Sequence, residues 1–99
     1  MRRRTEITAN IIDLDGNVLA PSVAVSIKQN DRGSFRLKPV DSFNFEMDRP
    51  RKYRLLLEDG RAGDIQTMGF HLIDNSGTNF VTFRILNGLS YASLQTHAL

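Results

Sequence analysis

From Thr5 onward apolar and polar residues take turns along the chain, and no stretch holds a helical period for more than a turn or two. Side chains that change face at every residue belong on pleated ribbons, so strands account for most of the molecule. Ile7, Ala9 and Ile11 share a face against Thr8 and Asn10, and Val23, Val25 and Ile27 oppose Ala24, Ser26 and Lys28. Phe35 and Leu37 alternate with Arg36 and Lys38, and Phe43, Phe45 and Met47 with Asn44, Glu46 and Asp48. Tyr53, Leu55 and Leu57 form the next stripe, then Ile65 with Thr67, the opposite phase of Met68, Phe70 and Leu72, and finally Val81, Phe83 and Ile85.

Between these runs stand residues that turn a chain sharply. Asp15-Gly16 and the Asp59-Gly60 pair of Glu58-Asp59-Gly60-Arg61 supply the positive φ of a tight hairpin, and Asp31-Arg32-Gly33 and the segment 74–79 are turns by composition. Pro21 lacks an amide donor and belongs at an edge or a bulge, while Gly63 and Gly69 allow the bulge that the phase change after Thr67 requires. Short turns between short strands, with no helical crossovers, indicate an all-β fold: a small antiparallel barrel or sandwich of about seven short strands. Alternation does not encode strand order, so barrel and sandwich remain equal alternatives.

Ninety-nine residues make one domain, 1–99, in which 88–99 is either one more strand or a frayed tail. With 40% apolar and 24% charged residues the chain can build an ordinary core. It contains no cysteine, so that core has no disulfide to lean on and no thiolate to offer a metal. No apolar run approaches the roughly 20 residues of a membrane-spanning helix. Met1-Arg2-Arg3-Arg4-Thr5-Glu6 resembles the basic start of a leader, but a polar alternating pattern follows it, so a cytoplasmic location is the default expectation. Thirteen basic against eleven acidic side chains give +2, too mild an excess for a committed nucleic-acid binder.

The densest charge is Arg49-Pro50-Arg51-Lys52-Tyr53-Arg54. Arg49, Arg51, Lys52 and Arg54 around the Tyr53 ring are the candidate polyanion-binding residues, since arginines hold phosphates and an aromatic among them can stack a base. The competing reading is that a proline among cations protects an edge strand from pairing with another chain. Glu58, Asp59 and Asp64 lie close in sequence without the ligand spacing of a cation loop, so no metal is expected. His71 sits in a strand and His97 near the end, and there is no nucleophile elbow and no glycine-rich phosphate loop. No catalytic residue and no cofactor are expected, and the chain is read as no enzyme.

A small barrel with an arginine-rich arm looks like a PilZ-type cyclic-dinucleotide receptor, which pairs Arg-x-x-x-Arg with Asp/Asn-x-Ser-x-x-Gly. The arm Arg2-Arg3-Arg4-Thr5-Glu6 lacks that spacing, and Asp74-Asn75-Ser76-Gly77 ends with Asn79 where glycine belongs. Neither half of the signature is met, and no function is transferred. Apolar residues on both faces of a strand, at Ile11 with Ile12, Leu55 to Leu57, and Phe80 with Val81, favour a non-enzymatic protein-interaction or self-association module, a homo-oligomer or an edge-strand docker. The alternative is a small barrel that binds nucleic acid or another polyanion through the basic segment.

Overall fold

Six antiparallel strands close on themselves in the computed structural model, which describes residues 6–45 and 49–91, without the side chains of 69–72. The elements are β1 (Glu6–Ile12), β2 (Val18–Lys28), β3 (Arg32–Leu37), a single helical turn α1 (Pro39–Ser42), β4 (Lys52–Leu57), β5 (Arg61–Ile73), β6 (Asn79–Ile85) and β7 (Ser90–Tyr91). The strands pair in the order β4-β1-β2-β3-β6-β5, and β5 returns to β4. The architecture is therefore a barrel. β7 is an extra two-residue strand on β5, with Arg61 opposite Tyr91 and Ala62 opposite Ser90. Among the described residues no helix is long and apolar enough to cross a membrane.

Closure sends one face of every strand inward. Ile11, Val25, Phe35, Leu37, Leu55, Ile65, Val81 and Phe83, drawn from all six barrel strands, are fully buried. Phe35 stacks on Phe83 at 5.8 Å between ring centroids and meets Phe45 at 5.9 Å, and Phe45 meets Tyr53 edge-on at 5.1 Å. This aromatic chain runs from the barrel interior to the loop after α1, so Phe45 closes one end of the barrel.

Glycines at positive φ shape three of the hairpins, two of them as Asp-Gly pairs. Gly16, Gly60 and Gly77 take φ of 95°, 98° and 87°. The Asp13 carbonyl accepts the Gly16 amide at 3.1 Å, Leu57 accepts Gly60 at 3.0 Å, and Asp74 accepts Gly77 at 3.1 Å. Pro21 falls at a bulge: the β1–β2 register slips between Ala9 opposite Val23 and Ile11 opposite Ala20. There Ser22 adopts φ 54° and donates its amide to Asn10 Oδ1 at 2.9 Å. The expected bulge after Thr67 is also present, as a register shift in β5–β6 between Thr67 and His71.

Three expectations are overturned. Residues 43–45 are not a strand: Pro39 starts a helical turn, the Ser42 hydroxyl donates back to its carbonyl at 2.6 Å, and turns follow, so Phe43 and Phe45 part company, one exposed and one buried. Met47 lies outside the described residues. The β2–β3 turn centres on Asn30 (φ 67°) and Asp31 (φ 58°), which leaves Gly33 within β3. β4 is no edge strand, because it pairs with β1 on one side and β5 on the other, and the edge-protection reading of its cations falls with that.

Candidate functional site

The basic segment is divided by the geometry of β4. Alternation turns Tyr53, Leu55 and Leu57 inward and leaves Lys52, Arg54 and Leu56 outside. The Arg51 amide donates to Thr67 Oγ1 at 3.0 Å and its carbonyl accepts the Thr67 amide at 2.8 Å, so pairing with β5 extends one residue ahead of the strand. The Tyr53 ring is only 7% exposed and offers no face for a base to stack on. Arg54 donates from Nε to Asp64 Oδ1 at 3.1 Å. Arg49 is exposed in the connection before β4.

Arg51, Lys52 and Tyr53 do meet one surface feature, an open groove of about 620 Å³ at the end of the barrel. Its other walls are Asp13 and Leu14 from the β1–β2 hairpin, Leu19 of β2, Asn44 after α1, Pro50, and Gln66 of β5. Asn44 anchors the loop there by donating Nδ2 to the Leu19 carbonyl at 2.9 Å. The Asp13 carboxylate is held below the ordinary aspartate range first by the Asn17 backbone amide at 2.8 Å, then by its side-chain amide, against a small opposing cost of desolvation. It is therefore held as an anion in a groove whose walls also carry the cations Arg51 and Lys52 and the apolar Leu14, Leu19 and Pro50.

Around this groove stand side chains that a folded barrel does not ordinarily leave in water. Leu14, one of its walls, is 65% exposed, and Phe43, next in sequence to its wall residue Asn44, is 86% exposed. Scattered apolar exposure is normal, but a nearly naked phenylalanine next to an apolar-walled groove is not. Sequence alternation placed Phe43 in a strand and gave Leu14, Leu19, Asn44 and Gln66 no role, because they come from four separate segments. The Asp-Gly hairpin after Asp13 was the one local signal that marked this end of the barrel.

The carboxylates near Gly60 serve the turn. Asp59 Oδ1 accepts the Arg61 amide at 3.0 Å and Oδ2 accepts Arg61 Nε at 2.9 Å, and Asp64 is engaged by Arg54. The side chain of His71 and the whole of His97 lie outside the described residues. No family model matches the chain, and no curated protein or solved structure matches it, so its function has to be argued from the groove, the exposed side chains and the strand register.

Proposed function

We propose that the chain is a non-enzymatic self-association module, and that two copies pair through the barrel end that carries Phe43. The observation behind this reading is the juxtaposition of a knob and a hole: Phe43 is 86% exposed, and its neighbour Asn44 lines the groove walled by Leu14, Leu19, Pro50 and Tyr53. A two-fold dimer requires complementary features on the same patch of one chain, and this patch has both. Each Phe43 then enters the groove of the other copy. Burial of one phenylalanine side chain is worth about 1.5–3 kcal/mol, and the symmetry counts it twice. Closure pairs both sides of the six barrel strands and leaves only the two-residue β7 as an edge among the described residues, which favours an end or a wall as the place for contact.

Sedimentation equilibrium of the full chain across the micromolar range tests the proposal. It requires a species of twice the 11.2 kDa chain mass, which Phe43→Ser returns to the single mass. A wild-type chain that stays monomeric, or a Phe43→Ser variant that still dimerises, overturns it.

A further inference from the structure

Strand register assembles a basic row that no local stretch of sequence contains. Lys52 of β4 stands opposite Gln66 of β5, Gln66 opposite Arg84 of β6, Arg84 opposite Arg32 of β3, and Arg32 opposite Lys28 of β2. The four cations are exposed, and their strand neighbours Tyr53, Ile65, Ile85 and Gly33 are buried, so the row lies on the outer wall. It crosses five of the six barrel strands. We propose that this belt binds the phosphate backbone of a single-stranded nucleic acid.

Two features separate the belt from an ordinary solvated surface. Arg32 faces Arg84 directly and Lys28 faces Arg32, placements in which like charges destabilise a sheet. Elsewhere the outer wall neutralises its arginines: Arg36 pairs with Glu6, Arg54 with Asp64 and Arg61 with Asp59. Among the described residues Lys28, Arg32, Lys52 and Arg84 make no ion pair, and no carboxylate stands in their row. An anion laid along the row relieves repulsion that folding leaves in place. The adjoining outward row is Ser26, Ser34 and Thr82, paired across β2, β3 and β6, and the shielded Thr82 hydroxyl has no hydrogen-bond partner among the described residues. Cations beside hydroxyls are the usual phosphate contacts.

Shape selects the kind of polyanion. Four inter-strand steps of about 4.8 Å give a belt of about 19 Å, and it bends with the barrel wall. A flat anionic bilayer or a stiff duplex touches only part of such an arc, whereas a flexible single strand follows it. Because Tyr53 is buried, the contact is to phosphates and not to bases, and binding is indifferent to sequence.

Fluorescence anisotropy of a labelled 20-nucleotide oligothymidine with the full chain is the test, beside sedimentation with vesicles of phosphatidylcholine containing phosphatidylserine. Oligothymidine binds, and the slope of log affinity against log salt reaches about −3, the value for four neutralised phosphates of a single strand. Arg32→Glu or Arg84→Glu each weakens binding at least tenfold, Arg61→Ala does not, and the milder Arg84→Gln, which removes a repulsion and keeps the fold, also weakens it. Absence of oligonucleotide binding at low salt, belt variants that bind like wild type, or binding to vesicles alone overturns the proposal.

Discussion

Gly33 shows how much one residue decides in a barrel this small. A Cβ built there lies 2.6 Å from the Ser26 carbonyl oxygen and 2.7 Å from Phe83 Cζ. The first is backbone of the paired strand and the second is part of the stacked Phe35–Phe83 core, so neither moves without loosening the ladder or the ring packing. Gly33→Ala is expected to lower stability by at least about 2 kcal/mol, within the usual cost of overpacking a core. Urea unfolding at neutral pH measures it, and an unchanged midpoint contradicts the packing described. The glycine was legible in the sequence, but as a turn residue. Asn30 and Asp31 tolerate positive φ well enough to take the turn themselves, which freed Gly33 for close packing.

At the scale of elements, the hairpins carry a pH dependence. Asp13, Asp59 and Asp74 are all held below the ordinary aspartate value of 3.8 by hydrogen bonds to their charged forms. For Asp74 the Ser76 hydroxyl leads, at 2.8 Å, followed by the Thr78 amide at 2.9 Å. A depressed folded-state pKa stabilises the fold above the unfolded value, and that contribution is lost as pH falls through the folded value. The thermal midpoint should therefore hold from neutrality down to about pH 4 and fall below it. In the Asp13→Asn/Asp74→Asn double variant it starts lower, and the gap to wild type closes as acid is added. A gap that stays constant down to strong acid contradicts the assignment to these carboxylates. The same turns explain why most elements could be read in advance: β1, β4 and β6, and β2 after its bulge, alternate cleanly between Asp-Gly or similar corners. Residues 43–45 misled because a two-residue spacing of phenylalanines looks like a strand even when Pro39 and Asp41 begin a helical turn just before it.

Strand order belongs to the whole molecule, and so does the belt. Its cations sit at positions 28, 32, 52 and 84 in company with Gln66, and it takes the pairings of β2 with β3, β3 with β6, β6 with β5 and β5 with β4 together to bring them into line. Alternation told which of these residues face outward and left their neighbours unknown, so the basic segment at 49–54 drew attention by density alone. The belt has a cost that does not depend on any ligand. Arg32 faces Arg84 on one side and Lys28 on the other, each across about 5 Å of sheet, where a like-charged pair costs about 0.2–1 kcal/mol. Neutralising one end of this trio, Arg84→Gln, removes one of the two like-charged pairs and should raise the thermal midpoint by about 1–8 °C at low ionic strength, given that about 1 kcal/mol moves a domain of this size by 4–8 °C. The gain should shrink as added salt screens the exposed charges. Arg54→Gln is the contrast, because it discards the pair with Asp64 and relieves no cross-strand repulsion. If Arg84→Gln instead lowers the midpoint, or raises it equally at all salt concentrations, then Arg84 holds the wall through its packing and the row is not electrostatically strained. If the gain appears and oligothymidine binding falls in the same variant, the repulsion between strands and the affinity for phosphate have a single origin in the alignment of these three cations.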